Sequence, residues 1–339
     1  MKQLIHILYV TEQDMELHLR GESVEAKQGG KTIVHIPLLN LEGIISFSYI
    51  PATPALMAVC AERQIAFSVL NHQGKLRYRV EGRTRGNPEL RLRQFQVFTQ
   101  NDQAFAFASE MISAKIHNSR MIIAKHLQNH REKEEHLRPL MERLSLYREQ
   151  IALCDSPDIL RGIEGLAAKT YYEAFSYMNL SEDPRMEFDV RSKHPPENAF
   201  NAMLSLSYTL LTTLCISALE TIGIDPYFGV FHTVKSGKPA LALDMMEELR
   251  APMADRFVLR AINLGIIKAR DFNADFTLSK TGMKSFLSEW DKMRSREILP
   301  SGSDEKIPLG LLPFYQAQLL ARVLYGQNEK YCPYQMENS

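Results

Sequence analysis

The sequence is short of cysteine, of net charge and of long apolar runs, and each shortage removes a class of protein. Its four cysteines, Cys60, Cys154, Cys215 and Cys332, are scattered and form no C-x-x-C pair, which argues against a zinc ribbon or a redox motif. Reduced thiols in a cytoplasmic protein are the expectation. Lys plus Arg and Asp plus Glu both total 40, so affinity for a polyanion must come from local clustering, and a histone-like binder is excluded. The longest uncharged stretch, Asn201 to Leu219, is dense in Ser and Thr. It is barely long enough to span a bilayer and reads better as a buried core helix, so no membrane partner is expected. The apolar run Leu4 to Val10 is followed by Glu12, Asp14 and Glu16 without a small-residue cleavage site, which is not the pattern of a signal peptide.

What is present is a 339-residue chain with 45% hydrophobic residues, enough for two domains with real cores. Short extended runs fill the first part: Leu4–Val10, Glu16–Arg20, Ser23–Lys27, Thr32–Leu38, Gly43–Ser48, Ala66–Leu70 and Lys75–Val80. Gly29-Gly30 and the stretch Asn71 to Gly74 are hairpin signals, and one helix is inserted over Thr53–Arg63. This predicts an N-terminal β domain over 1–81, a small sandwich. Residues 82–88, Gly-Arg-Thr-Arg-Gly-Asn-Pro, hold no apolar side chain and read as a linker.

Beyond it the period turns helical, with helices predicted over 89–99, 104–130, 132–150, 157–178, 197–222, 239–250, 254–264, 280–294 and 311–326. The expected fold class is therefore α+β, two domains, the second a larger all-α catalytic domain over 89–326. The polar tail 327–339 is expected to be loosely ordered.

Three segments hold the residues of chemical interest. Glu164 lies in a helix among Leu160, Ala167, Ala168 and Tyr171, and Gly165 beside it suggests close approach of another backbone or of DNA, since a helical glycine costs about 1 kcal/mol relative to alanine. His232 follows the turn-rich Asp225-Pro226-Tyr227-Phe228-Gly229 in a loop. Asp244, Glu247 and Glu248 fall near one face of a helix and repel one another unless a cation or Arg250 intervenes. Two carboxylates and an imidazole suit an open Mg²⁺ or Mn²⁺ site, and phosphodiester chemistry on nucleic acid follows naturally. Each residue also has an ordinary reading: a solvated glutamate, a hydrogen-bonded structural histidine, an acidic surface face.

Their order and spacing carry a resemblance. Arg161-Gly162-Ile163-Glu164-Gly165 with Ala167-Ala168 and Tyr171-Tyr172, Pro195-Pro196-Glu197-Asn198 with Asn201 to Ser205 and Tyr208, Gly229 to His232, and Lys238-Pro239 through Glu247 together resemble the universal spacer-acquisition integrase family of CRISPR adaptation, in the pattern of a type I system. The resemblance implies a metal site of Glu164, His232 and Glu247, with Asp244 as an auxiliary carboxylate and Lys238 able to neutralise a phosphate. Some relatives carry Asp where this chain has Glu247, and Glu248 next door competes for that role. Glu247 keeps the i+3 spacing from Asp244, which assigns Glu248 to solvent or to a basic neighbour.

The implied activity is a metal-dependent DNA endonuclease and integrase that inserts spacer DNA into a CRISPR array by 3′-OH transesterification. Its implied partners are double-stranded DNA, a second copy of the chain and a small second adaptation protein. A nuclease on branched DNA or RNA without integration, and a non-catalytic DNA-binding scaffold, are the alternatives.

DNA contact should show as clustered base. Lys75, Arg77, Arg79, Arg83, Arg85, Arg91 and Arg93 stand against only Glu81 and Glu89. On the strand 75–80 the cations alternate with Leu76, Tyr78 and Val80, which places charge outside and apolar groups inside, a face suited to sequence-independent phosphate contact. Lys115, Arg120 and Lys125 form a second basic set on one helix.

Overall fold

Among the described residues of the first part of the chain, alternating apolar and polar residues become seven strands and one helix: β1 (His6–Val10), β2 (Met15–Arg20), β3 (Ser23–Gln28), β4 (Lys31–Pro37), β5 (Leu41–Ser46), α1 (Pro54–Arg63), β6 (Ala66–Leu70) and β7 (Leu76–Val80). The computed structural model describes residues 6–49, 52–71, 73–82, 88–192, 196–300 and 302–337. One sheet has the order β1-β5-β6-β7, with β1, β5 and β6 parallel and β7 antiparallel to β6. The second is the antiparallel meander β2-β3-β4. Val10, Leu17, Val24, Leu41, Ile44 and Phe67 from both sheets share one core with Leu56 and Cys60 of α1.

From Pro88 onward the chain is mainly helical: α2 (Pro88–Phe98), α3 (Asn101–Asn129), α4 (Glu134–Ile151), α5 (Pro157–Met178), α6 (Ala199–Ile222), α7 (Ala240–Leu249), α8 (Arg256–Asn263), α9 (Lys280–Arg294) and α10 (Leu312–Leu324), with a short antiparallel pair β8 (Glu297–Ile298) and β9 (Ile307–Pro308) before α10. Local chemistry sets the ends. Ser156 accepts the Ile159 N–H ahead of Pro157 at the start of α5, Asn198 accepts the Asn201 N–H at the start of α6, and Gly223 closes α6 with φ +96°. The architecture is α+β with two units, β strands first and helices after.

The units do not follow chain order. One comprises Met1–Arg85 with Arg270–Ser295, the other Gly86–Ala269 with Arg296–Ser339. Helix α9, which sequence reasoning places in the helical domain, thus belongs to the strand unit. Buried Arg294 pairs with Glu42 at 2.9 Å, Tyr9 donates to Asp291 at 3.2 Å, and Lys280 and Lys284 pair with Glu12. Helical periodicity reveals an apolar stripe but not which core receives it.

The tail also departs from expectation. Tyr331, Tyr334 and Met336 are buried in the helical unit, so residues 331–336 are packed structure rather than a loose end, while 327–330 are exposed. Among the described residues one helix, α6, is long and apolar enough to cross a membrane. Its Leu204, Leu211, Cys215 and Leu219 are fully buried within the helical unit, as the core-helix reading expects.

Candidate active site

The three acids of α7 face three different surroundings, and each surrounding removes the mutual repulsion in its own way. Asp244 points at the loop after α6. Its Oδ2 accepts the backbone N–H groups of Val230 and Phe231 at 2.7 and 3.0 Å, and its Oδ1 accepts that of His232 at 2.8 Å. Three consecutive amides so turned make a concave anion cradle. Gly229 permits it, because a Cβ there would lie 2.3 Å from Asp244 Oδ2 and 2.7 Å from Leu241 N.

Asp244 Oδ1 also lies 2.6 Å from His232 Nδ1. A neutral imidazole then carries its proton on Nδ1 and presents a bare Nε2, which sits 4.0 Å from Glu247 Oε1.

Glu247 is buried among cations. Its Oε2 is 2.7 Å from Lys115 Nζ of α3, and both its oxygens lie 3.0 Å from Arg250 Nη1. Burial alone raises a carboxyl pKa, but Arg250 and Lys115 outweigh it and hold Glu247 at about 2. The same Lys115 ammonium pairs with Glu164 Oε1 on α5. Burial opposes its charge, yet Glu247 and Glu164 together raise its pKa. Lys115 therefore bridges the two predicted ligand carboxylates.

Arg250 opens a π-helical turn, Arg250–Asp255, a distortion that recurs at functional sites. Its guanidinium lies 4.4 Å from the Tyr208 ring centre and donates to the Tyr172 hydroxyl. Tyr172 and Tyr208 are hydrogen-bonded at 3.0 Å, and Tyr208 donates to buried Asp255.

Glu248 corrects the expectation of a solvent-facing side chain. It is fully buried and accepts from the Tyr331 hydroxyl at 2.5 Å, from Tyr334 N–H at 2.7 Å and, more weakly, from Gln316. Burial outweighs these hydrogen bonds and pushes its pKa up to about 8, so neutralisation relieves it of the charge it would otherwise share with Glu247. Its backbone carbonyl and that of Tyr334 accept from Asn118, which in turn accepts the Met336 N–H.

The structure thus brings Glu164, His232, Asp244 and Glu247 together, with Lys115 between Glu164 and Glu247 and Arg250 against Glu247. No group of three or more His, Cys, Asp or Glu side chains lies at ligand spacing among the described residues; the Lys115 ammonium stands between the carboxylates of Glu164 and Glu247. The donor set nevertheless fits a hard divalent ion: two carboxylates already share one cation, and an oriented imidazole nitrogen faces one of them.

Lys238 is half-buried in the loop before α7, and its side chain makes no hydrogen bond or ion pair with this network among the described residues. Gly165 has open space where a Cβ would stand, so among the described residues no backbone from another element approaches it. Lys115 was legible only as part of a basic helix. Its flanking Ala114 and Ile116, both buried, were the available signal, since a buried lysine needs partners. Asp255 carried no sequence signal.

A family profile described as "CRISPR associated protein Cas1" matches residues 8–292. The chain belongs to the Cas1 family. It is 34% identical over 340 residues to "CRISPR-associated endonuclease Cas1 1" of Chlorobaculum tepidum, covering 98% of this chain and 99% of the relative. It is also 34% identical to a protein of the same description from Moorella thermoacetica, covering 98% of each.

Among solved structures, the fold is similar to a Cas1 protein from Thermotoga maritima (TM-score 0.82, 19% identity, 98% and 100% coverage) and to a casposase bound to integration product (0.83, 20%, 98% and 95%). A chain of a Cas6-RT-Cas1–Cas2 complex matches with TM-score 0.84 and 20% identity, over 98% of this chain and 36% of that one.

The basic residues proposed for DNA divide between the two units of this Cas1-family chain. Lys75, Arg77 and Arg79 belong to the strand unit and Arg91 and Arg93 to the helical unit, while Arg83 and Arg85 lie outside the described residues. Arg79 pairs with Glu81 at 2.7 Å and Arg93 with Glu89 at 2.8 Å, and Arg77 lies over the Tyr49 ring. Alternation on β7 is partial. Val80 packs against the core but Tyr78 is 44% exposed, as an edge strand allows.

Proposed function

We propose that the chain is a divalent-metal-dependent DNA endonuclease and integrase that joins a DNA 3′-hydroxyl to a CRISPR repeat by transesterification. Membership of the Cas1 family, relatives described as endonucleases and a similar fold in a casposase bound to integration product support the reading. The observation that carries it is the single cation, the Lys115 ammonium, shared by Glu164 and Glu247 beside His232 Nε2, which lies 4.0 Å from Glu247.

Glu164, Glu247 and His232 would hold Mg²⁺ or Mn²⁺. When bound, such an ion polarises the phosphodiester, activates the attacking hydroxyl and stabilises developing negative charge. Asp244 fixes the His232 tautomer and ring direction, Arg250 keeps Glu247 ionised, and Lys238 can meet a substrate phosphate. No side chain need act as a covalent nucleophile.

The strand unit and Lys75, Arg77, Arg79, Arg83, Arg85, Arg91 and Arg93 are assigned to contacts with duplex phosphates. Pairing with a second copy and with a small adaptation protein of the Cas2 kind is part of the same reading. The complex that contains a similar fold is described as Cas1–Cas2.

A supercoiled-plasmid integration assay with a 3′-OH duplex and Mn²⁺ tests it. Glu164→Ala, His232→Ala and Glu247→Ala should each abolish strand transfer and cleavage while circular dichroism stays native. Near wild-type integration by any of the three removes that residue from the ligand set, and absence of integration by wild type with retained cleavage favours a plain nuclease.

A further inference from the structure

Two cations hold Glu247, and they are built differently. Arg250 is braced: its guanidinium contacts Glu247, the Tyr172 hydroxyl and the face of Tyr208 at once. Lys115 reaches the site on a flexible four-carbon stem from α3, and its ammonium contacts the carboxylates of Glu164 and Glu247. It is 8% exposed, and its chain neighbours Ala114 and Ile116 are buried.

Without that charge Glu164 would lose its ammonium partner and Glu247 would keep only Arg250, leaving two like charges close together with one counter-charge fewer. A divalent ion bound by Glu164 and Glu247 needs the oxygens that the ammonium now holds. Mg²⁺ sits about 2.1 Å from its oxygen ligands, whereas Lys115 Nζ stands 2.7 Å from Glu247 Oε2. Two positive centres on one pair of oxygens repel strongly at low dielectric. One must leave, and of the two side-chain cations Lys115, on its flexible stem, is the less braced.

We infer that Lys115 is a placeholder cation: it holds Glu164 and Glu247 in ligand geometry until a divalent ion displaces its ammonium, and it thereby weakens the site for metal. The inference rests on the metal-site reading above. It makes Lys115 a positioning residue whose removal has opposite effects on fold and on metal affinity, which an ordinary structural ion pair would not produce.

The test uses the full chain and Mn²⁺, with free ion followed by electron paramagnetic resonance and stability by thermal melting. Lys115→Met and Lys115→Gln should melt lower than wild type in chelator, yet bind Mn²⁺ at least about tenfold more tightly, with a larger Mn²⁺-induced rise in Tm. Glu247→Gln should bind it more weakly.

Binding that depends on Glu247 but is unchanged or weakened by both Lys115 variants overturns this inference and leaves the metal site standing. Absence of Mn²⁺ binding in wild type and variants overturns both. Should Lys115→Met fail to fold in chelator, Mn²⁺ added during refolding is expected to restore it by supplying the missing charge. Failure of that rescue, with wild type still binding Mn²⁺, also overturns the placeholder role.

Discussion

Asp244 grips His232 twice through one oxygen: Oδ1 accepts the backbone N–H at 2.8 Å and meets ring Nδ1 at 2.6 Å. With Oδ2 on the Val230 and Phe231 amides, this carboxylate organises a whole loop, a larger task than the auxiliary role expected of it. Asp244→Ala is expected to lower stability by roughly 1.5–3 kcal/mol for each charged hydrogen bond lost, less what water restores. Metal affinity should fall by about 10–100-fold. Thermal melting and Mn²⁺ titration measure both, and a variant with wild-type Tm would show that the loop holds without the carboxylate.

Glu248 gives a pH prediction. Its pKa is about 8 in the fold against an ordinary 4.5, so the folded chain binds its proton more tightly than the unfolded one. The stability this contributes is fully present below pH 4.5 and is lost as pH rises through 8. Glu248→Gln, which cannot ionise, should gain on wild type progressively between about pH 4.5 and 8 in denaturant titrations. A difference that is flat across this window would mean that Glu248 is ionised throughout.

Deleting residues 331–339 should be severe. Buried Tyr331, Tyr334 and Met336 each account for about 1.5–3 kcal/mol of apolar burial. The deletion also strips Glu248 and Asn118 of partners. A large fall in Tm or loss of soluble protein is expected by differential scanning fluorimetry. A truncated chain melting with the full one would return the tail to the loosely ordered state.

For DNA, the ion pairs rank the cations. Exposed Lys75 and Arg77 should each lower the slope of log K against log[salt] by about 0.9 when changed to alanine. Arg79 and Arg93, already paired with Glu81 and Glu89, should change it less. Equal slopes for wild type and the Lys75→Ala, Arg77→Ala double variant in fluorescence titrations would remove these two from the interface.

Most elements are legible in the sequence, because apolar period, caps and turn residues act locally. The bounds expected for the helix at 157–178 and the strand at Ala66–Leu70 coincide with α5 and β6. The local sequence also placed Asp244, Glu247 and Glu248 on one helix and His232 in a loop. It could not say what each would face, since consecutive helical residues point about 100° apart and their partners lie far along the chain.

Glu248 meets Tyr331 and Tyr334, Glu247 meets Lys115, and α9 pairs with Tyr9 of β1 and Glu42 of β5. Such pairings are set by which surfaces bury together and which buried charges find a counter-charge. That choice is made across the whole molecule, so only the tertiary structure turned a basic helix residue into the cation at the centre of the site.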